Sequence, residues 1–455
     1  MAVAGQSKPR EGLPVSSRHK NLDSSVSLPY LPPTLILLRN RDYRLLFFGF
    51  IAIQGGLTFQ LVTPIFWVQE HTDDDVRVLL VGVLSAVRGV AMIGFGLYGG
   101  TLADRLDRRQ LLIMTQSLAV LVSIGVVALV AFAGGGTGAL AGLFALVFVA
   151  SGLWAIDGPT RQSMVPDIVG ADAAPRGVAL AASGTWLITL VTVLGVGFVI
   201  DELGFTGAFV IVAAMQMVAL ATLLPMRYQR QGLASAPGAS GLAEFRGGLR
   251  YVWRHPVLRW LIGVSVLMTA LAMPAISGLG PTWVTTVVGA SFSEFGLIAA
   301  FWGLGALAAS LVLTRYGKID SMGLVFAGAA LLFAAGFMTF GLKDNAVFAV
   351  AGNAGVGAGL IASQIAGVAL IGQIVPAELR SRITSLLLLD RALAQFLALP
   401  LAAVAQEVGL TTLFPILGVC CFTVVVVLIL SARPTVWRTP LTARPDLKTG
   451  GTEHS

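Results

Sequence analysis

The sequence predicts an all-α polytopic membrane protein with twelve transmembrane helices in two pseudo-symmetric six-helix bundles, and three observations carry that expectation. The chain has 455 residues, of which 56% are hydrophobic and 12% charged, with a mean hydropathy of +0.84. That is more apolar surface than one soluble core of this length can hide. Apolar blocks of about 20 residues, each able to cross ~30 Å of hydrocarbon as a helix, recur from Arg44 onward. The longest internal hydrophilic stretch, 227–259, divides six such blocks from six.

The blocks fall at 44–69, 78–98, 110–134, 138–156, 177–200, 207–226, 258–279, 295–313, 322–342, 347–374, 383–406 and 411–431. Each is expected to be helical, because the bilayer core holds no water to satisfy an open backbone. Charge supports the count. With the N-terminus inside and the loops taken alternately, 26 of the 30 Lys and Arg residues share that side. Arg77 and Lys343 fall opposite, and Arg88 and Arg391 lie within spans. The positive-inside rule then puts both termini in the cytoplasm, with the chain in the cell inner (cytoplasmic) membrane. A pI near 9.8 is explained by this topology and requires no nucleic-acid partner. The first 30 residues are polar and basic, without an early apolar region and small-residue site, so no cleavable signal peptide is expected.

The expected organisation is a cytoplasmic tail and interfacial approach segment (1–43), an N-terminal bundle (44–226), a linker (227–257), a C-terminal bundle (258–432) and a second tail (433–455). "PYLPPTLILLRNRDYR" and "FRGGLRYVWRHPVLR" precede the first and seventh spans as matching aromatic, arginine-bearing approach segments, which suggests an internal duplication. "GFGLYGG" in the second span and "AGNAGVGAGL" in the tenth let backbones approach closely, either as fixed packing or as a sliding contact.

Between the second and third spans the chain reads "GGTLADRLDRRQLL". At Gly100, Leu102, Ala103, Asp104, Arg105, Arg108, Arg109 and Leu112 this resembles the cytoplasmic loop motif of the major facilitator superfamily, with Asp107 where that pattern carries a glycine. The version "DRLDRR", together with "NRDYRLLFFG", "GPTRQSMVPDIV" and "VPAELRSRITSL", resembles the enterobactin-exporter-like or transmembrane secretion effector branch. The resemblance implies the major facilitator fold. It also implies that Asp104 and its arginines latch the cytoplasmic gate against the start of the eleventh helix. A carboxylate there can face a positive helix N-terminus. The other reading is that these charges only set topology. "LTRYGKIDS" is the degenerate equivalent in the second half.

Ionisable groups within spans are costly enough to be functional candidates. Arg88 lies about ten residues, or ~15 Å, into the second span. Asp390 and Arg391 lie ~12 Å or more beyond Arg382, and starting the span after them would leave only 14 residues, too few to cross. As adjacent helical residues they point ~100° apart and need other partners. The resemblance makes the second and eleventh helices neighbours, so Arg88 and Asp390 are a candidate cross-bundle pair, either exchanged during transport or permanently satisfied. Asp157 and Arg161 are an i, i+4 pair on one face with Trp154. They read as a local salt bridge or as a proton site, and Asp157 is expected near the span boundary and wet.

Gln54, Thr58, Trp154, Asn353, Gln364 and Gln395 are candidates for a cavity lining, although amides and hydroxyls also join helices together. "HTDDDVR" reads as a solvated turn, and the adjacent Cys420 and Cys421 have no metal or disulfide spacing. No phosphate-loop motif occurs, and the four histidines are scattered, so neither an enzyme, a metal nor a cofactor is expected. The expected activity is secondary transport by alternating access. The resemblance implies proton-coupled export of a small amphipathic molecule such as a siderophore, drug or secondary product. The partners are then the bilayer, a small-molecule substrate and protons, with a monomer expected. The fifth-helix antiporter motif of the family survives only as "VLGVGFVI", without its proline. Proton-coupled uptake and a non-transporting sensor or assembly factor stand as alternatives.

Overall fold

A computed structural model describes residues 35–170, 172–228, 250–315, 321–375 and 390–432, and the side chains of all of these but 97–105 and 390–393. The long helices are α1 (Arg41–Glu70), α2 (Asp74–Arg105), α3 (Arg108–Phe132), α4 (Thr137–Val169), α5 (Ala174–Leu223), α6 (Pro256–Val287), α7 (Phe292–Arg315), α8 (Met322–Leu342), α9 (Ala346–Ile374), α10 (Asp390–Val408) and α11 (Leu410–Ser431). Among the described residues there is no strand.

Ten of these segments are long and apolar enough to span a bilayer, and Ala394–Val408 is a shorter apolar helix. One of the ten, α5, bends at Gly204, where φ is 67° and ψ −177°. A side chain is strained in that backbone region. Its arms, 174–203 and 205–223, are two helices, so the described residues hold eleven long apolar segments and the shorter Ala394–Val408, against the twelve spans expected.

Several boundaries differ from the expectation. Helix α4 runs to Val169, well past the predicted end at 156, and takes Pro159 and Pro166 into its interior. Helix α6 continues past 279 to Val287 through two π-helical stretches, Pro274–Leu279 and Trp283–Val287. Pro274 and Pro281 each remove an N–H and crowd the preceding turn, and the wider π turns absorb both. The expected glycine turn before α3 is unnecessary. Asp107 has an ordinary φ of −61° and caps the helix, accepting from Gln110 N at 2.9 Å.

The helices alternate in direction, so one end of the molecule carries the described chain ends (the terminal end) and the other carries the α1–α2, α3–α4 and α10–α11 turns (the distal end). Small residues set the closest packing. At Gly336, Gly352 and Gly359 in the α8–α9 seam, an added Cβ would lie 2.5, 2.4 and 2.3 Å from a facing backbone nitrogen. The glycines of "AGNAGVGAGL" thus allow the close backbone approach expected of them. In "GFGLYGG", by contrast, Gly94 and Gly96 meet nothing within 4 Å.

Candidate functional site

The helices on either side of residues 229–249 meet along α2 against α10 and α5 against α7. The distal half of this junction is closed. A Cβ on Gly197 of α5 would lie 1.8 Å from the Phe292 carbonyl oxygen, and one on Gly296 of α7 would lie 2.8 Å from that of Val193. Across α2 and α10 the small residues Gly82 and Ala402 make the same close approach. Phe66 of α1 has its ring centroid 4.6 Å from Phe292 and 5.0 Å from Phe295. Gln69 joins α1 to α6, donating to Thr282 Oγ1 at 2.9 Å and accepting from Thr285 Oγ1 at 2.8 Å. Asp201 accepts from Ser293 N at 3.0 Å, at the start of α7. Gln406 of α10 donates to the Asp75 carbonyl of α2.

Toward the terminal end burial fades. Helix α2 is buried at Leu84, Ser85, Arg88 and Ala91, and no residue from Met92 to Gly96 is buried. On α7 the last buried residue is Ala306. The Trp186 and Trp302 rings, 5.6 Å apart at mid-depth, bridge α5 and α7, and Trp186 is 41% exposed. Among the described residues, then, the junction is tightly packed at its distal end and less buried toward its terminal end.

The polar centre lies inside the first bundle. Asp157 and Arg161 form the ion pair predicted from their spacing, Arg161 Nε donating to Asp157 Oδ2 at 2.6 Å. Their setting corrects the sequence expectation. Asp157 is 5% exposed and Arg161 1%, because α4 continues for three more turns and carries the pair into the bundle. Arg161 Nη2 also donates to Gln116 Oε1 at 3.2 Å. Gln116 Nε2 in turn donates to the carbonyl oxygen and side-chain Oε1 of Gln216, at 3.1 and 2.5 Å. Among the described residues, Asp157 Oδ1 and Arg161 Nη1 are buried without a partner. Gly49 makes room for the guanidinium, since its Cβ would lie 2.7 Å from Arg161 Nη1. Asp157, Trp154, Gln60, Thr115, Gln116 and Gln216 line a small cavity of about 20 Å³. A carboxylate with one unsatisfied oxygen beside a polar cavity can accept a proton or a donor from a ligand.

The remaining candidates are distributed. Arg88 is 2% exposed and donates to the Gln60 carbonyl at 3.2 Å. Its proposed partner Asp390, with Arg391, begins α10, but those side chains lie outside the described ones, so the pairing does too. Thr58 accepts from Thr192 Oγ1 at 3.0 Å in the α1–α5 seam, and Asn353 donates to the Ile298 carbonyl at 3.1 Å in the α7–α9 seam. Both therefore join helices. Gln395 donates to Ser277 Oγ at 3.3 Å. Gln54 is half-buried and Gln364 exposed.

Of the loop motif, the side chains of Gly100, Leu102, Asp104 and Arg105 lie outside the described ones, and Arg108 and Arg109 are visible. Arg108 Nη1 pairs with Asp167 Oδ2 at 2.8 Å and donates to the Ser163 carbonyl at 3.2 Å. Arg109 donates to the Leu224 carbonyl at 2.8 Å. Tyr228, just beyond α5, donates to Asp167 Oδ2 at 2.5 Å. Burial, and then that hydrogen bond, push its phenol up to about 12. These contacts bind the start of α3 to the ends of α4 and α5. In the first distal loop, Arg77 pairs with Asp74 at 2.6 Å, and Asp74 is 85% exposed, as a solvated turn requires.

The sequence reading missed Gln116, Gln216, Asp167 and Tyr228. Only Asp167 carried a signal, its place in "GPTRQSMVPDIV".

The family model of the Major Facilitator Superfamily matches residues 45–399. No curated protein matches the chain in sequence. Among solved structures, a POT family transporter in complex with 5-aminolevulinic acid is similar with a TM-score of 0.69, over 87% of this chain and 97% of that one, at 15% identity. The nucleoside transporter NupG is similar with a TM-score of 0.68, over 86% and 99%, at 12% identity. A peptide transporter POT in complex with alafosfalin gives 0.67, over 88% and 95%, at 18% identity. Such identities establish a shared fold, and the family match runs from α1 into the first half of α10. The chain belongs to the Major Facilitator Superfamily, as a multi-pass membrane transporter of small solutes and not an enzyme.

Proposed function

We propose that this transporter exports a small amphipathic molecule, of the siderophore, drug or secondary-product kind, in exchange for protons. Its two moving parts are residues 44–226 and 258–432, joined by 227–257, with both termini on the cytoplasmic side of the inner membrane. The observation that carries proton coupling is the Asp157–Arg161 pair. It is a buried ion pair with one carboxylate oxygen that no described group satisfies, facing a small polar cavity. Keeping a half-satisfied pair in the membrane is expensive and suits a group that changes its protonation during the cycle.

In the described state the distal contacts hold the outer side closed while substrate enters from the cytoplasm. In the alternate state the Asp104 loop latches the cytoplasmic side, and Gly94 and Gly96, which now face open space, leave room for that approach. Arg88 and Asp390 are a second candidate for the coupling pair. The direction rests on the loop and flanking stretches that resemble the exporter branch. A second reading, proton-coupled uptake through the same cavity, is supported by the fold shared with peptide and nucleoside transporters.

Transport in everted vesicles tests the choice. Accumulation driven by an acid lumen supports export, and proton-driven loss from the lumen supports uptake. Proton-independent behaviour of both wild type and Asp157→Asn removes the coupling role of Asp157.

A further inference from the structure

The hydrogen bonds around Arg161 have a direction that fixes more than a salt bridge. A guanidinium can only donate, so the Gln116 atom facing Arg161 Nη2 at 3.2 Å must be its carbonyl oxygen. That turns the Gln116 amide nitrogen toward Gln216, whose backbone and side-chain oxygens both receive it. Gln116 is 2% exposed and Gln216 8%. Arg161 therefore rests between two acceptors on different helices, the Asp157 carboxylate on its own helix and a buttressed amide oxygen on α3.

We propose that Gln116 is the positioning residue of the proton site, holding Arg161 when Asp157 is protonated, with Gln216 fixing Gln116 in the accepting orientation. The proposal rests on the reading of Asp157 as the proton acceptor. In the loading step a hydronium in the cavity gives its proton to Asp157 Oδ1, the oxygen without a partner. One O–H bond forms, one water is left, and the charge of the Asp157–Arg161 pair rises from zero to plus one. The ionic contact at Oδ2 becomes a neutral one. Left to itself the guanidinium would be a buried cation without a counter-ion, which opposes proton uptake. The Gln116 oxygen, already in place, lowers that opposition.

The surroundings leave little else to do so. Helix α1 brings Gly49 and Ile53, α3 brings Thr115 and Gln116, and the second arm of α5 brings Gln216 and Thr222. Among the described residues no charged side chain but Arg161 acts on Asp157. Thr115 Oγ1 turns its proton to the Leu111 carbonyl at 3.0 Å.

Infrared difference spectroscopy on the purified full-length protein, titrated over roughly pH 4 to 10, reads the site without a known substrate. The wild type should show a buried carboxylic-acid band that Asp157→Asn removes. In Gln116→Leu the midpoint of that band should fall by about one pH unit, a tenfold loss of proton affinity, because the protonated state loses its remaining acceptor for Arg161. Gln216→Ala, which frees Gln116, should shift it the same way by less. If Gln116→Leu does not fold, Gln216→Ala decides. An unmoved midpoint in the folded variant, with the band present, overturns the role of Gln116 and leaves the proton site standing. Absence of any Asp157-dependent band in the wild type overturns both.

Discussion

Substituting Gly197 by alanine should push the transporter out of the state described here. A Cβ at this position would sit 1.8 Å from the Phe292 carbonyl oxygen, 2.3 Å from the carbonyl carbon and 2.6 Å from Ser293 N. All three are backbone atoms, so no side chain can rotate away, and α5 and α7 must part by about 1 Å or more to reach an ordinary contact. Overpacking of this size costs about 1–3 kcal/mol. On the alternating-access reading proposed above, the cost falls on the distally closed state alone. An equilibrium shift of 1.4 kcal/mol is tenfold, so the ratio of the two states should move by about one order of magnitude.

Spin labels at Asp74→Cys and Asp344→Cys, in a background where Cys420 and Cys421 are replaced by serine, report the distance across the distal face by pulsed electron resonance. Both label positions are exposed. Gly197→Ala should enrich the longer distance, and Gly195→Ala, with nothing within 4 Å of its Cβ, should not. A folded Gly197→Ala protein with an unchanged distance distribution would show that this seam is not a gate.

Asp157→Asn leaves Arg161 as a buried cation facing only an amide, and should lower unfolding stability by about 3–5 kcal/mol; thermal melting in detergent measures it, and an unchanged melting temperature would mean the pair is not the buried contact described. Gly49→Ala drives a Cβ into Arg161 Nη1, 2.7 Å away, and should alter the pH profile of transport, while Gly195→Ala leaves it unaltered. At the terminal end, Tyr228 holds its proton up to about 12 when folded, against an ordinary value of 10.0. Its neutral hydroxyl therefore contributes stability that is fully present below pH 10 and is lost as pH rises through about 12. Melting temperatures should fall more steeply across that window in the wild type than in Tyr228→Phe, and parallel curves would show that the hydroxyl contributes nothing there.

What the sequence made legible, and what it did not, follows from how far each signal reaches along the chain. The spans are local, which is why the all-helical, multi-span architecture stood. The Asp157–Arg161 pair was local too, at helical i, i+4 spacing, but its burial was not. The charges themselves argued for ending the span at 156, and only the continuation through Pro159 and Pro166 to Val169 takes the pair inside. Gln116 and Gln216 stand 100 residues apart, and nothing in either neighbourhood marks them as partners. Asp107 looked like a departure from a glycine pattern. Its cap on Gln110 N shows that a negative φ with an accepting side chain serves the same turn. The distal closure was hardest to read, because Gly197, Phe292, Gln69 and Thr282 become neighbours only when the two halves meet.

The most direct test is proton-driven transport of a ligand found by thermal-shift screening of siderophores and antibiotics against the purified protein, since a compound that binds the fold stabilises it. Everted vesicles with an acid lumen should accumulate that compound, lose the accumulation when the proton gradient is collapsed, and fail to accumulate it with Asp157→Asn. Accumulation by Asp157→Asn that matches the wild type and still collapses with the gradient would contradict the placement of the coupling site in the first bundle.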